Sequence, residues 1–512
     1  MVPAGRIKWK GALVFVPGLL VATACAIVSA QRALPSIGWG DEAELQVLAW
    51  QGGLPHCTGY PLYTSIGFLG TRLLASDPAR GLSLMSAVFG GSALVLLYLL
   101  VLALLRRRDW GAVLLGVLAQ GAVGTSDTFT LAASIAEMYT LQWTLTLGVL
   151  LLVLTWHESA RDSALYGAAF LVGAMFGNHI TTVLLLPGLA LFIGLALRDP
   201  DRRRAIYLAW LPLFAGIVLG YVLPYLVLWH RGLPFDFWHA TVLPHREAMG
   251  LPEDIEQSAW RSLLFSARCG QASRAIAGAS TTEVAYQAER MGLRLLHLPG
   301  LTGLVLAVLG AIANRRRRFL LLSAATVLTQ SAAVVLETGT RKHAIYAFVP
   351  SMIWTLWACV GADWVVRKIS VVRLRPWMAF SLAAVATAVL QFVGVFLSPT
   401  QAWRQGRGGS QWANTLLARI PTPATVFTDW MGLYPLRYEA LRSGRSEGLS
   451  LIEAHPESPL EITNVPRNVR EVLEAGRHGA VVLSTEPPSG YLSAYKWKND
   501  GAGLWRLQRD DE

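Results

Sequence analysis

Residues 83–108 read SLMSAVFGGSALVLLYLLVLALLRRR, an apolar run that ends in three consecutive arginines. An apolar run of about 20 residues is long enough to cross the hydrocarbon core of a bilayer as a helix. Over the whole chain of 512 residues, 53% of the residues are hydrophobic, 15% are charged and the mean hydropathy is +0.43. A water-soluble packing of such a chain would expose large apolar surfaces, so the composition predicts a polytopic membrane protein.

Further apolar segments raise the predicted number of membrane crossings to about eleven. They lie near 11–31, 109–127, 133–156, 165–179, 181–197, 205–229, 295–313, 319–337, 344–366 and 376–397. The segments at 109–127 and 165–197 are short, as is typical of tilted or re-entrant helices. The first segment also resembles a signal peptide with small residues at 28–30, but its length favours a retained helix.

The basic residues indicate the orientation of the chain in the membrane. The net charge is +11, but Lys and Arg concentrate in short clusters between apolar runs, which argues against a nucleic-acid partner. Such clusters accumulate in cytoplasmic loops, and all of them fall on one side if the N-terminus is cytoplasmic. The clusters lie at 6–10, 106–108, 198–204, 315–318 and 368–375. The predicted location is the bacterial inner (plasma) membrane, with segments 32–82 and 230–293 and the C-terminal domain periplasmic or extracellular.

The chain changes character near residue 400, where charges rise and apolar runs shorten. The predicted strands are Thr425–Asp429, Gly448–Ile452, Ala480–Ser484 and Gly503–Leu507, with helical periodicity at 436–443 and 467–475. This pattern predicts a small external α/β domain at 399–512, which follows a transmembrane domain at 1–398.

A group of polar residues follows the first apolar span. It contains Asp41, Glu44, His56, Tyr60 and Tyr63. Carboxylates at the edge of a bilayer lose part of their hydration, so an acid cluster beside His and Tyr indicates a reaction or ion site. A partly desolvated carboxylate is suited to take a proton from an acceptor hydroxyl as a general base. Simpler interpretations remain open, since Asp41 and Glu44 have the spacing of a helix capping box, and the tyrosine-rich segment could be a turn and a membrane-interface anchor.

Two further polar sites interrupt apolar runs. Glu137 and Tyr139 stand at the start of the fourth span, where an unpaired buried carboxylate would be costly. Asn178 and His179 follow Gly177 and divide residues 165–197 into two short helices. The alternatives are a helix-start acid held by backbone amides and a packed glycine hinge with a hydrogen-bonded histidine.

These residues carry a resemblance to a known family. Gly40-Asp41-x-x-Glu44, His56-x-x-Gly59-Tyr60-Pro61-Leu62-Tyr63, Ala136-Glu137-Met138-Tyr139 and Gly177-Asn178-His179 resemble the transmembrane O-mannosyltransferase family of the GT-C glycosyltransferases, in its bacterial form (glycosyltransferase family 117 type). The likeness covers roughly residues 10–200 and is weaker beyond, where Thr428-Asp429-Trp430-x-x-x-Tyr434-Pro435-Leu436 is also similar. The usual His-Pro-Pro-Gly-Tyr of the family is here His56-Cys57-Thr58-Gly59-Tyr60, and the loss of both prolines loosens the loop.

The resemblance implies a GT-C fold, an external active site and an inverting transfer from a polyprenyl-phosphate sugar, with Asp41 as the acid of the first external loop. Its implied neighbours are Glu44, His56, Tyr60, Glu137 and His179. We expect Glu44 to act with Asp41 in catalysis. The residues expected to bind substrate are His56, Tyr60, Tyr63, Glu137, Tyr139, Asn178 and His179. The acceptor would be a protein, a lipid or a glycan, and the remaining partners are membrane lipids.

Other parts of the site are less defined by the sequence. Arg341 and Lys342 form a short external loop that could neutralise the departing phosphate, although anchoring at the membrane interface explains them as well. A divalent metal on Asp41, Glu44 or His56 is conceivable, but no ligand spacing is diagnostic, so no cofactor is certain. The sequence does not decide whether Cys57 and Cys269 form a disulfide bond. The rival functions are a transporter or flippase of envelope precursors and a non-catalytic scaffold of envelope assembly.

Overall fold

The computed structural model describes residues 14–56, 58–243, 246, 250–252, 254–268, 281–297, 300–314, 316–336, 343–369, 408–455, 480–483, 496–501 and 504–508. The α-helices before residue 370 are α1 (Val16–Arg32), α2 (Gly40–Gln51), α3 (Pro61–Leu73), α4 (Pro78–Leu105), α5 (Trp110–Gly124), α6 (Asp127–Ala132), α7 (Tyr139–Ser159), α8 (Asp162–Met175), α9 (Leu186–Ala196), α10 (Pro200–Leu208), α11 (Trp210–Ile217), α12 (Leu223–Arg231), α13 (Ala259–Ala267), α14 (Thr281–His297), α15 (Gly300–Ala313), α16 (Arg317–Leu336), α17 (His343–Tyr346) and α18 (Phe348–Ile369). Short 3₁₀ helices span Ile180–Leu185 and Ile255–Gln257, and π-helical turns span Val218–Val222 and Trp238–Val242.

The apolar helices of the described residues coincide with predicted membrane segments. Within the part of the chain that the structure describes, five helical stretches are long and apolar enough to cross a membrane: Pro78–Leu105, Tyr139–Ser159, Pro200–Arg231, Arg317–Leu336 and Phe348–Lys368. Shorter apolar helices are Val16–Arg32, Trp110–Gly124, Asp162–Met175, Ile180–Ala196 and Gly300–Ala313. The predicted segment at 376–397 lies outside the described residues, so the number of eleven crossings stays a prediction. The polytopic helical architecture itself is confirmed.

Three of the five predicted basic clusters meet at one end of this helical bundle, which we call the basic end. Glu158, at the end of α7, pairs with both Arg106, which follows α4, and Arg316, which precedes α16. Arg107 pairs with a carboxylate of α18. The guanidinium of Arg202 donates to two backbone carbonyls at the end of α7, at 3.3 and 3.2 Å. The clusters at 106–108, 198–204 and 315–318 therefore lie on one side, as the charge pattern predicts.

The opposite end of α4 carries the C-terminal domain. Asp77 caps α4 by accepting the backbone N–H of Arg80 at 3.0 Å. The same carboxylate accepts the Tyr438 hydroxyl at 2.8 Å and the Arg442 guanidinium at 2.9 Å, and both of these residues belong to the C-terminal domain. At 1.5 Å of rise per residue, the 28 residues of α4 separate the two ends by about 42 Å. This length matches a bilayer with its headgroup regions.

The C-terminal domain contains a five-stranded sheet. Its described elements are α19 (Ser410–Leu417), β1 (Ala424–Asp429), α20 (Trp430–Arg442), a 3₁₀ turn (Ser446–Gly448), β2 (Leu449–His455), β3 (Ala480–Leu483), β4 (Trp497–Asn499) and β5 (Leu504–Leu507). The strand order is β2-β1-β3-β5-β4, with β1 parallel to β2 and β3, and β5 antiparallel to β3 and β4. Val426 of β1 lies opposite Leu451 and Val481.

The predicted α/β character of this part is confirmed, since each predicted strand corresponds to β1, β2, β3 or β5. The three-residue strand β4 was not predicted, because Trp497–Asn499 is too short for an alternating pattern. The helix predicted at 467–475 and the domain boundary at 398/399 lie outside the described residues and stay predictions. Buried apolar residues form one continuous cluster that joins the α1–α4 segment, the α12–α13 segment and the C-terminal domain, and it includes Val47, Trp238 and Leu436.

Candidate active site

Helix α2 places Asp41 and Glu44 on one face, since residues three apart on a helix lie on the same side. The helix begins at Gly40, whose φ of +55° favours glycine, and a Cβ there would lie 3.0 Å from the sulfur of Met431. The residue before the helix, Trp39, makes no side-chain capping bond. The capping-box interpretation is therefore wrong. Asp41 lies inside the first turn, and its Oδ1 accepts the indole N–H of Trp430 at 3.0 Å.

Glu44 is fully buried and holds His56 in place. Its Oε1 accepts the backbone N–H of His56 at 2.7 Å, and its Oε2 pairs with the imidazole Nδ1. The other ring nitrogen, Nε2, lies 3.4 Å from the Tyr60 hydroxyl. Burial raises the pKa of the Glu44 carboxyl, and its interactions with His56 oppose that shift. Glu44, His56 and Tyr60 therefore form a connected polar chain, as their location in one loop predicts.

The Tyr60 hydroxyl stays protonated in this surrounding. Burial raises the pKa of Tyr60 well above its usual value, and the neighbouring Tyr346 and the carboxylates of Asp41, Glu44 and Glu137 raise it further. These groups therefore share one electrostatic environment. A neutral tyrosine can donate a hydrogen bond to a substrate oxygen.

An aromatic layer continues the site toward α7. The Tyr60 and His179 rings stack with centroids 5.8 Å apart and an interplanar angle of 2°. Tyr139 lies 5.6 Å from the same imidazole, and its hydroxyl donates to Tyr346 at 3.4 Å. His179 also lies 6.0 Å from Tyr346. The structure therefore brings Tyr60, Tyr139 and His179 together as predicted, and it adds Tyr346, for which the sequence analysis had no motif.

The break between α8 and α9 is a packed hinge. A Cβ on Gly177 would lie 1.8 Å from the carbonyl oxygen of Gly220, so the two backbones are in direct contact. The Asn178 amide donates to the Met138 carbonyl at 3.2 Å and to Gln142 at 2.9 Å. The packing that the glycine-hinge alternative describes is present, and Asn178 ties this segment to the start of α7. Substrate binding by Asn178 and His179 stays a prediction.

The other acids of the region have different surroundings. The Oε1 of Glu42 accepts the backbone N–H of Ala136 at 3.3 Å, which links α2 to the segment before α7. Glu137 is 2% exposed and precedes α7, whose first turn has no side-chain cap. Tyr63 is fully buried within the helical core. Glu42 thus has a structural hydrogen bond in the described residues, and the expected substrate-binding role of Tyr63 stays a prediction.

Several predicted positions lie outside the described residues: Arg341, Lys342, Cys57 and Cys269. Within the described ranges, no group of three or more His, Cys, Asp and Glu side chains is arranged to hold a metal ion. The guanidinium groups of Arg72 and Arg231 both lie against the ring of Phe68, at 3.4 Å and 5.6 Å from its centroid. The sequence analysis did not group these two arginines.

Comparison with solved structures defines the class of the fold. The chain superposes on ArnT from Cupriavidus metallidurans bound to undecaprenyl phosphate with a TM-score of 0.53 at 12% identity, covering 97% of both chains. It also superposes on the oligosaccharyltransferase AglB from Archaeoglobus fulgidus, in complex with an inhibitory peptide and a dolichol-phosphate, with a TM-score of 0.52 at 13% identity. That superposition covers 91% of this chain and 69% of AglB. The fold is therefore of the GT-C type, as expected.

Sequence comparison gives the family likeness. Residues 41–200 match the family model of the protein O-mannosyl-transferase TMEM260 N-terminal domain. The protein O-mannosyl-transferase tmem260 of Dictyostelium discoideum is 35% identical over 86 residues, which are 16% of this chain and 10% of that protein. The aligned part thus spans about a tenth of the curated relative. The resemblance to this family is confirmed for the N-terminal part, and the matched region begins at Asp41.

Proposed function

We propose that this chain is an integral membrane glycosyltransferase of mannosyltransferase-like type. It moves a sugar from a polyprenyl-phosphate donor to an acceptor hydroxyl with inversion, and Asp41 is the general base. The observation that carries the proposal is the convergence of half-buried Asp41, the Glu44–His56–Tyr60 chain and the aromatic layer at the end of the bundle opposite the basic end.

The chemistry follows from the groups at this site. The Asp41 carboxylate takes the proton of the acceptor hydroxyl while the acceptor oxygen bonds to the anomeric carbon of the sugar. The bond between that carbon and the phosphate oxygen breaks on the opposite face, and the electron pair leaves with the polyprenyl phosphate. The neutral Tyr60 hydroxyl, held against His56, donates a hydrogen bond to a sugar or phosphate oxygen.

The donor class is taken from the fold relatives, whose structures contain undecaprenyl phosphate and dolichol-phosphate. The departing phosphate needs a positive charge, and Arg341 with Lys342 remains our candidate for it. Arg231, which lies with Arg72 on Phe68, is a second candidate at the membrane surface. The acceptor is a hydroxyl on a protein, lipid or glycan.

The orientation follows from the charge distribution. Arginine clusters mark the cytoplasmic side, so the basic end faces the cytoplasm and the end with Asp41 faces the periplasm or exterior. We place the protein in the bacterial inner membrane with its C-terminal domain outside. A lipid-linked donor is suited to that location, because nucleotide sugars are cytosolic.

The test is transfer by the purified chain in lipid nanodiscs, supplied with polyprenyl-phosphate mannose and a serine- and threonine-containing peptide. Because the acceptor is not identified, the same variants are expressed in a deletion strain, whose lipid-linked sugars and glycoconjugates are profiled by mass spectrometry. Asp41→Asn should lower turnover by about 10²- to 10⁴-fold, the usual contribution of a general base. Asp254→Asn is the matched control, because Asp254 is an exposed partner of Arg261.

The outcomes separate this proposal from its rivals. Loss of transfer with Asp41→Asn but not with Asp254→Asn, together with accumulated lipid-linked sugar in the strain, supports the enzyme. Full activity of Asp41→Asn overturns the assignment of the base. A deletion strain with unchanged glycoconjugates overturns the enzyme, and movement of lipid-linked sugar across vesicles without transfer would identify a flippase.

A further inference from the structure

The C-terminal domain reaches into the site through one side chain, Trp430. Asp429 ends β1 and caps α20 by accepting the backbone N–H of Gly432 at 2.9 Å, which places Trp430 at the first position of the helix. The Trp430 side chain is 6% exposed, and its indole N–H donates to Oδ1 of Asp41 at 3.0 Å. The contact joins residues that are 389 positions apart in the chain.

The orientation of this indole is fixed by one ring from its own helix, Tyr434, and by two rings from other segments, His56 and Phe237. Its centroid lies 5.7 Å from that of His56, 5.9 Å from that of Phe237 and 5.3 Å from that of Tyr434. The interplanar angles are 88°, 84° and 78°, so each contact is edge to face. The ring cannot rotate without disturbing several elements, and its N–H therefore has one direction.

The domain is held in place independently of Asp41. The carboxylate of Asp77 binds Tyr438 and Arg442, as described above. On another side, the Thr241 hydroxyl donates to Glu453 of β2 at 2.6 Å, and both residues are buried. Trp430 is thus presented to Asp41 by a domain that also has other polar contacts with the rest of the protein.

We propose that Trp430 is a positioning residue for the transfer, so that the C-terminal domain is a component of the active site. This inference rests on the proposed role of Asp41. A hydrogen bond from a neutral donor favours the ionised carboxylate and fixes its plane. The indole N–H thereby keeps Asp41 charged and oriented toward the acceptor hydroxyl.

Removal of the N–H tests the proposal. Trp430→Phe keeps an aromatic ring but has no donor, and 3-benzothienylalanine at position 430 replaces the N–H with sulfur in nearly the same shape. We expect kcat to fall roughly ten- to hundredfold, the range of a hydrogen bond to a charged group, with KM little changed. The acidic limb of the pH–rate profile should move upward, because a carboxylate that loses a hydrogen-bond donor becomes easier to protonate.

Trp412→Phe is the matched control. Trp412 belongs to the same domain and packs on Trp39 with ring centroids 4.9 Å apart, but its partner is not a carboxylate. It should leave kcat and the pH profile unchanged. In an Asp41→Asn background, Trp430→Phe should cause no further loss, since its effect acts through the carboxylate.

The outcomes for Trp430 and for Asp41 can be told apart. If Asp41→Asn abolishes transfer while both replacements at position 430 keep the wild-type pH profile and kcat, the positioning role is wrong and the proposed base stands. If Asp41→Asn is fully active, the proposed function fails first. If Trp430→Phe does not fold, the benzothienyl variant alone decides the question.

Discussion

The buried pair of Glu44 and His56 makes a quantitative prediction about stability. Glu44 has no exposed side-chain surface, and truncation to alanine leaves two donors of His56, its backbone N–H and its Nδ1, without their acceptor. A buried donor left without an acceptor costs about 1–3 kcal/mol, and breaking a buried charged pair costs about 3–5 kcal/mol. Because the His56 side chain is 20% exposed, water recovers part of the loss. We expect Glu44→Ala to destabilise the protein by about 3 kcal/mol.

A double-mutant cycle measures the pair itself. Glu44→Ala, His56→Ala and the double variant would be unfolded by titration with SDS in mixed micelles, followed by tryptophan fluorescence. The coupling free energy should be about 1.5–3 kcal/mol, which is the typical contribution of a hydrogen bond to a charged group. Glu44→Gln, which keeps an acceptor oxygen, should lose less than Glu44→Ala. Single effects that add to within about 0.5 kcal/mol would refute the described pair, because independent sites behave in that way.

Three further predictions concern pH, docking and packing. The hydrogen bond to Asp236 raises the pKa of His239 above 6.5, so the pair stabilises the fold below pH 6.5 and this contribution is lost as pH rises through the raised value. Asp236→Asn should therefore lower the melting temperature at pH 6 more than at pH 9, and an equal loss at both would contradict the pair. Asp77→Ala removes a helix cap and the bonds to the C-terminal domain, so it should cost about 1–2 kcal/mol or more and speed hydrogen exchange in α20; unchanged exchange would show that docking does not depend on it. Gly177→Ala should cost at least about 1–3 kcal/mol in thermal unfolding, because its Cβ would strike a backbone, whereas Gly194→Ala, with open space around it, should be neutral or stabilising; equal effects would contradict the packed hinge.

The helical framework could be predicted because a helix that crosses the bilayer needs about 20 predominantly apolar residues, which the sequence shows directly. Each described membrane helix coincides with an apolar segment, since a spanning helix must satisfy its backbone internally and cover it with apolar side chains. The arginine clusters meet at one end for the same physical reason. The strands β1, β2, β3 and β5 were readable from short apolar runs, whereas β4 has three residues and carries no periodic signal.

The candidate site was predictable only where its residues lie in neighbouring segments. Asp41, Glu44, His56 and Tyr60 are close in the chain, and helical spacing already separates Asp41 and Glu44 from Glu42. That spacing alone places Glu42 on a different side of α2 from Asp41 and Glu44, and there it binds the backbone of the segment before α7. The capping-box alternative failed because α2 begins one residue earlier than Asp41 and Glu44 turns to His56 instead of back to the helix start.

The contribution of the C-terminal domain could not be predicted by any local rule. Trp430 is one of 19 tryptophans, and although it stands in the family-like segment at 428–436, no local pattern there shows that its indole contacts Asp41. The position of the Trp430 side chain against Asp41 depends on three structural features. They are the Asp429 cap that starts α20, the binding of the domain to Asp77, and the left-handed Gly40 that lets α20 approach α2. Each of these features has its own local cause, but only together do they place the Trp430 indole N–H within hydrogen-bond distance of the Asp41 carboxylate. A contact between residues so far apart in the chain can be recognised only once the fold is known, because each feature has a local cause and the contact depends on all of them together.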